Sequence, residues 1–442
     1  MNGLRLTSGI VVLPLLILKL SKPDYDMYFV FLSLSALLPI LDLGFSVSIG
    51  RAVNYAMGGA TQLQAMGMVA QPAGAGPNQA MLWQLLHSTR LLYRWLAVGI
   101  LVVIGVVGTW FIWKAVPQTS SPEMTWAAWI VTLLAMAWDS YSGWWNSYLR
   151  NMNCVLAGAR QAVATQSLKI ILTCVLLLGG FGLLSVPVAT ICASFLQRFL
   201  ARRMVLGLLD QKNDPGRKSV AVRTMLSTLW PNSWRVGIHL MSCYLAGQAN
   251  TLICLPLLGL SASGQYGFSF QLISICASMA QVWTYVKWPQ VGQLRIQQDQ
   301  AALRKLLWPR IWLQYLTFGV LVVGVVICVP ALLHWRGSDK ALLPVLWLSL
   351  LALNGFLESN CAFWNTLIAT ENRLPMVWPT LIGNVASFLL IVILVKTTQL
   401  GLAAFVIAPL SVGILFNYWN WPREGARSIG TSWLKFLLTR PH

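Results

Sequence analysis

Long apolar runs dominate the chain, and the short connections between them carry most of its basic residues. A helix needs roughly 20 mostly apolar residues to cross the hydrocarbon core of a bilayer. Runs of that kind predict twelve membrane-spanning helices and an all-α polytopic membrane fold. They lie at about residues 4–20, 26–49, 91–114, 126–149, 163–183, 185–203, 231–255, 265–287, 310–333, 341–368, 376–396 and 400–421.

Composition agrees with this interpretation. The 442 residues are 57% hydrophobic and 10% charged, whereas a soluble domain carries about 25% charge. A net charge of +19 would suggest nucleic acid in a soluble protein. Here the basic residues separate apolar runs, so we expect no nucleic-acid partner. The eight cysteines include no CxxC pair, so we expect neither a metal site nor a disulfide framework, and no cofactor.

The distribution of basic residues predicts the orientation. Lysine and arginine concentrate on the cytoplasmic side of membrane proteins. Alternate connections and the termini hold 23 of them, against 6 in the opposite set. Both termini are therefore expected in the cytoplasm. The first span lacks a small-residue cleavage site and is not interpreted as a removed signal peptide.

Two stretches of the chain repeat in the same order. Residues 25–38 resemble residues 266–279, and residues 156–170 resemble residues 369–382. This order predicts two halves of six spans with parallel topology, related by an axis along the membrane normal. The predicted parts are a six-helix bundle at 1–203, a cytoplasmic linker at 204–230, a second bundle at 231–421 and a cytoplasmic tail at 422–442. Against its counterpart, the first helix is short by roughly ten residues, which predicts a truncated helix or a misassigned start.

Charged and amide side chains inside the predicted spans align on single helix faces. A charge at mid-membrane costs roughly 2.5–3.5 kcal/mol, so such residues normally face a cavity or a partner. At about 100° per residue, Asp139 and Asn146 share one face, and Arg235 and His239 share another. The polar candidates are Arg51, Lys169, Arg235, His239, Asp42, Asp139, Asn146, Asn250 and Glu358. Hydrogen bonding between helices and snorkelling to an interface remain alternative roles.

Polar stripes in two six-span halves predict a central hydrophilic cavity, which is typical of a transporter. The sequence contains no GxGxxG, GKS/GKT, HExxH or GxSxG motif, so we expect no direct use of ATP and no enzymatic activity. A polysaccharide polymerase or ligase is the enzymatic alternative. Its only candidates would be His334 and Arg336, in the short segment 334–340.

The segment LLPILDLGFSVSIGRAVNYA (37–56) resembles the second-helix signature of Wzx-type polysaccharide flippases. These belong to the multidrug/oligosaccharidyl-lipid/polysaccharide exporter superfamily. LICLPLLGLSASGQYGFSFQL (252–272) is similar to that superfamily's seventh-to-eighth helix turn, and LAGARQ (156–161) to its fourth-to-fifth connection. The likeness covers most of the chain. Asn250 departs from it, because relatives often carry an acidic residue there.

The resemblance implies alternating-access flipping of undecaprenyl-diphosphate-linked oligosaccharide repeat units, from the cytoplasmic to the periplasmic leaflet of a bacterial inner membrane. Such flipping serves O-antigen or exopolysaccharide synthesis, with the bilayer, a polysaccharide polymerase and a chain-length regulator as partners. A diphosphate carries roughly two negative charges, which cations attract. The candidate substrate-binding cations are Arg51, Lys169, Arg235 and His239.

The alternative is a cation-coupled multidrug exporter of the same fold, which deep acidic residues favour. For flipping itself, one possible drive is coupling to inward H⁺ or Na⁺ through Asp42, Asp139 or Glu358, with Asn146 and Asn250 as further polar residues of the cavity. Membrane potential is the other possible drive for flipping. The sequence leaves these two drives open.

Overall fold

The computed structural model describes residues 2–60, 76–152, 154–210, 222–371, 373 and 375–439. Regular secondary structure in these ranges is helical, without strands. Seven of the described helices are long and apolar enough to cross a membrane, and two bent helix pairs raise the number to nine. The chain is therefore an all-α, multi-pass membrane protein, which confirms the predicted fold class.

Every apolar run predicted from the sequence lies on a helix or on a broken helix. The earlier helices are α1 (Asn2–Lys19), α2 (Lys22–Ser35), α3 (Leu38–Leu41), α4 (Phe45–Met57), α5 (Gln79–Ala115), α6 (Pro122–Asn151), α7 (Val155–Leu178), α8 (Ser185–Leu208) and α9 (Val222–Ala246). The later helices are α10 (Gln248–Leu258), α11 (Leu260–Ala280), α12 (Val282–Tyr285), α13 (Trp288–Ile296), α14 (Gln300–Trp335), α15 (Val345–Ala369), α16 (Val377–Thr397), α17 (Ala404–Leu415), α18 (Asn417–Arg427) and α19 (Trp433–Leu438).

The chain divides into two compact units, Gly3–Tyr244 and Leu245–His442. Residue 231, the predicted start of the second bundle, falls within α9, most of which lies in the first unit. The reason is a close approach at the break between α3 and α4. Gly44 has a φ of +73°, and a Cβ there would lie 2.6 Å from the carbonyl oxygen of Ser233. The hydroxyl of Ser233 also donates to that of Ser48 at 2.8 Å.

The predicted linker and tail also contain helix. α8 continues to Leu208, while residues 211–221 of the predicted linker lie outside the described ranges. α18 continues to Arg427, and α19 follows it. The Phe436 ring of α19 lies 5.5 Å from that of Trp364, edge to face, in the buried core of the second unit. Apolar residues near the C-terminus thus pack in the core of that unit, and the cytoplasmic location of this segment stays a prediction.

The two units contain similar orders of helices. In the first, α2 is followed by the four-residue α3, the 13-residue α4 and the 37-residue α5. In the second, α11 is followed by the four-residue α12, the nine-residue α13 and the 36-residue α14. A spanning helix that breaks near its end, before a long helix, therefore occurs once in each unit. The stretches at 25–38 and 266–279, which resemble each other in sequence, begin these two series.

Candidate functional site

A cavity of about 450 Å³ lies within the first unit. This volume falls in the range of ordinary ligand sites, about 300–1,000 Å³. The segment from α3 to α4 and the helices α5, α6, α7, α8 and α9 all contribute to its walls. Its polar lining includes Asp42, Ser46, Tyr93, Asp139, Asn146, Arg150, Gln161, Thr165, Gln166 and Gln197.

The break between α3 and α4 positions Asp42. Its Oδ2 accepts the backbone N–H of Ser46 at 3.0 Å, which caps the first turn of α4. Its Oδ1 accepts the hydroxyl of Tyr93, from α5. Two donors from different elements thus hold the carboxylate at the cavity wall.

One face of α6 supplies the next wall. Asp139, Gly143, Asn146 and Arg150 recur at helical spacing, and all line the cavity. Oδ1 of Asp139 accepts the hydroxyl of Ser194 at 3.3 Å. Oδ1 of Asn146 is buried and has no hydrogen-bond partner among the described residues. An unpaired acceptor on a cavity wall is available to a ligand donor.

The opposite wall is rich in amides that the sequence analysis did not single out. Gln161 and Gln166 of α7 line the cavity with Gln197 of α8. Nε2 of Gln161 donates to the carbonyl oxygen of Gln197 at 3.1 Å and so joins the two helices. The spacing of Gln161, Thr165 and Gln166 on one helix face was visible in the sequence. It was missed because these residues stand at the predicted start of an apolar run.

Of the predicted polar residues, Asp42, Asp139 and Asn146 meet at this cavity, and the four predicted cations are not among its lining residues.

Arg51 is exposed on α4, and Lys169 is half-buried on α7. Arg235 is exposed, with its guanidinium carbon 5.6 Å from the ring centre of Trp234. His239 is exposed and lies 3.8 Å from the sulfur of Cys243. Their role as substrate-binding cations stays a prediction.

Glu358 and Asn250 belong to the second unit. The hydroxyl of Tyr418 lies 2.9 Å from Oε1 of Glu358 and 2.6 Å from Oδ1 of Asn354, so either oxygen can accept its proton. This hydroxyl links α18 to α15.

Nδ2 of Asn250 donates to the hydroxyl of Tyr266 at 3.2 Å, in a buried position. A neutral amide at this position therefore donates to the tyrosine, whereas an ionised carboxylate there could only accept from it.

The described residues contain no group of three or more His, Cys, Asp or Glu side chains placed to hold a metal ion. All eight cysteines are free thiols in the structure. The chemistry available at the cavity is therefore hydrogen bonding by amides and hydroxyls, together with the charges of Asp42, Asp139 and Arg150.

Comparison with solved structures identifies the fold. An inward-facing multidrug resistance MATE family transporter of the MOP superfamily superposes with a TM-score of 0.70 at 15% identity, covering 97% of this chain and 94% of that one. The chain has the MATE fold. An outward-facing MATE transporter gives 0.55 at 13% identity, covering 97% and 92%.

A third MATE-fold relative is the multidrug transporter DinF-BH. It gives a TM-score of 0.57 at 15% identity, covering 94% of this chain and 89% of that one. No protein-family model and no curated protein sequence matches the chain. The MATE fold is thus shared at low sequence identity, and the substrate must be argued from the residues of the cavity.

Proposed function

We propose that this MATE-fold chain flips undecaprenyl-diphosphate-linked oligosaccharides by alternating access, from the cytoplasmic to the periplasmic leaflet of a bacterial inner membrane. Both termini then lie in the cytoplasm, and the product leaflet is where a polysaccharide polymerase and a chain-length regulator would act. The observation that carries the proposal is the composition of the cavity wall. Amides from three helices surround one space of about 450 Å³.

A sugar crosses hydrocarbon at a high cost because its hydroxyl groups lose their water. An amide side chain replaces that water well, because it offers two N–H donors and one oxygen acceptor. Gln161, Gln166, Gln197 and Asn146 place such groups around the cavity. The unpartnered Oδ1 of Asn146 is free to accept a sugar hydroxyl. A site for an aromatic cation would instead rely mainly on apolar and aromatic walls.

A cation-coupled multidrug exporter is the second candidate. Asp42 and Asp139 line the same cavity, and two carboxylates there would favour a cationic ligand. Multidrug transporters are also among the relatives of the same fold. In the flippase, the same two carboxylates hydrogen-bond to sugar hydroxyls instead.

The test is a comparison of two substrates in the same proteoliposomes. A fluorescent lipid-linked oligosaccharide reports flipping through its accessibility in the outer leaflet, and a cationic fluorescent dye reports drug transport. We expect flipping without dye transport. Dye transport without flipping would exclude the flippase.

Gln166→Leu tests the cavity itself. The Gln166 side chain forms no hydrogen bond among the described residues, so its loss should leave folding intact. We expect about tenfold slower flipping if it hydrogen-bonds the glycan. Gln290→Leu makes the same change at an exposed position of the second unit and should not alter the rate. Equal flipping rates for the two variants would show that the Gln166 amide of the cavity wall does not contribute to transport.

A further inference from the structure

Three arginines converge on one tyrosine outside the cavity. Arg90 and Arg94, four residues apart on one face of α5, and Arg198 of α8 all lie close to the side chain of Tyr141. The guanidinium carbon of Arg198 lies 4.4 Å from the Tyr141 ring centre and 4.6 Å from that of Trp138. We call these five residues the arginine cluster. It gathers three positive charges from α5 and α8 against α6.

Two donors of the arginine cluster have no acceptor among the residues that the structure describes. Nη1 of Arg198 and Nε1 of Trp138 are both buried, and neither has a hydrogen-bond partner within the described ranges. Guanidinium and indole N–H groups can only donate. None of the ion pairs among the described residues involves Arg90, Arg94 or Arg198. Buried donors are nearly always paired in folded proteins, so an anionic acceptor is expected between these groups.

None of the five residues of the arginine cluster is among the lining residues of the cavity. The cluster therefore lies beside the cavity, because Ser140 and Trp144, which flank Tyr141 on α6, do line it. Large exposed apolar side chains stand nearby on α5, α6 and α8, as expected for a surface in contact with lipid tails. They are Trp95, Ile130, Leu134, Phe195 and Phe199, exposed by 70%, 54%, 51%, 51% and 62%.

The position along the helices gives the depth. Arg94 stands 21 residues before Ala115, the last residue of α5, which is about 31 Å along a helix. Tyr141 stands 19 residues after Pro122, the first residue of α6, which is about 28 Å. Near the Ala115 end, Lys114 lies 4.2 Å over the ring of Trp110, an arrangement common at membrane interfaces. Because the hydrocarbon core is about 30 Å thick, the arginine cluster lies at the opposite interface, where lipid phosphates lie.

We propose that the arginine cluster binds the diphosphate headgroup of a membrane lipid, and that the lipid-linked substrate docks there before its glycan enters the transport cavity. This proposal rests on the proposed function, because that function identifies the lipid. In the proposed orientation, α5 begins in the cytoplasm, so the cluster faces the leaflet from which substrate is taken.

The chemistry of the cluster suits a diphosphate. Arginine presents rigid, forked donors that match phosphate oxygens two at a time. Three such groups can neutralise roughly two negative charges and provide paired hydrogen bonds. Exposed aromatic and aliphatic side chains surround the cluster and face the lipid. The polyprenyl chain therefore stays in the bilayer, and only the diphosphate headgroup binds the protein.

Native mass spectrometry of the full-length protein tests the site. Undecaprenyl diphosphate is titrated in one arm and phosphatidylglycerol in the other. We expect Arg90→Gln/Arg94→Gln to weaken binding of the diphosphate lipid by about tenfold or more. Arg198→Lys keeps the charge but loses the fork, and should lose less. Arg203→Gln, at an exposed position of the same helix as Arg198, should stay within about twofold of the unchanged protein, since only contacts made at the cluster carry the specific binding energy.

Three results would overturn the proposal: no loss in the double variant, an equal loss in Arg203→Gln, or phosphatidylglycerol binding as tightly as the diphosphate lipid. Normal flipping by a double variant that no longer binds the lipid would overturn the docking role. Cluster-dependent binding by a protein that does not flip oligosaccharide would support the headgroup site and count against the proposed function alone.

Discussion

The hydroxyl of Tyr93 donates a hydrogen bond to the carboxylate of Asp42 at the wall of the cavity. This contact joins α5 to the break between α3 and α4. The other oxygen of Asp42 is held by the backbone N–H of Ser46. The pair therefore fixes both a polar group of the cavity and the path of the chain beside it.

Tyr93→Phe should lower stability without enlarging the cavity. The carboxylate keeps one donor and loses the other, and a hydrogen bond to a charged group is worth about 1.5–3 kcal/mol. We expect a lower apparent Tm in a fluorescence thermal shift in detergent. Tyr55→Phe is the matched control, because the Tyr55 hydroxyl makes no hydrogen bond among the described residues. Equal Tm values for the two variants would contradict the role of the Tyr93–Asp42 bond.

Gly44→Ala should destabilise the first unit far more than an equivalent change elsewhere. At a φ of +73° an alanine is strained by about 1–2 kcal/mol. Its Cβ would also lie 2.6 Å from a carbonyl oxygen and 2.7 Å from Cβ of Val236. Gly180 has a φ of +80° with open space around it, so Gly180→Ala carries the strain alone. The thermal shift of Gly44→Ala should exceed that of Gly180→Ala, and equal shifts would show that α9 does not depend on this approach.

A half-buried ion pair in the second unit gives a third prediction. Nη1 of Arg295 lies 3.1 Å from Oε1 of Glu371, with the two side chains only 13% and 22% exposed. Arg295 also donates to the hydroxyl of Ser428 at 2.7 Å and so connects α13 to the end of α18. Burial lowers the pKa of the Arg295 guanidinium, and the Glu371 carboxylate opposes that shift.

Glu371→Gln should therefore cost about 1–3 kcal/mol, because it leaves a half-buried cation with a weaker partner. Glu424→Gln is the control. Glu424 lies 3.9 Å from Arg427, and these side chains are 35% and 59% exposed, so the pair is worth about 0–1 kcal/mol. The free energy of unfolding, measured with denaturant, should fall clearly more in Glu371→Gln than in Glu424→Gln. If Glu424→Gln lowered the free energy of unfolding as much as Glu371→Gln, burial would not explain the contribution of the Arg295–Glu371 pair.

Hydropathy was enough to predict the helices, because each apolar run has to satisfy its backbone hydrogen bonds within itself. It could not place the breaks at Gly247 and Phe416, because each bent helix pair, taken together, is apolar enough to be one continuous span. Nor could it show that most of α9 packs within the first unit. A turn that brings Gly44 against Ser233 depends on contacts between segments far apart in the sequence.

The site was predictable in part. Helical spacing correctly grouped Asp139 and Asn146, because one helix fixes that relationship by itself. The same reasoning could not tell which face of each helix its neighbours cover. Neither Arg51 nor Arg235 lines the cavity of the first unit, and their role as substrate-binding cations stays a prediction. Arg90, Arg94 and Arg198 were used only to orient the chain. Their convergence on Tyr141 depends on the packing of three helices.

A final prediction concerns the energy source. Moving two negative charges out of a negative interior releases about 2.3 kcal/mol per charge for each 100 mV. An inside-negative potential imposed on proteoliposomes should therefore speed outward flipping, and collapsing it should slow flipping. Glu358→Gln keeps an oxygen that can accept from Tyr418 and removes the charge, so the variant should fold and still respond to the potential. Flipping that ignored the potential, followed a pH gradient and stopped in Glu358→Gln would instead assign the drive to ion coupling in the second unit.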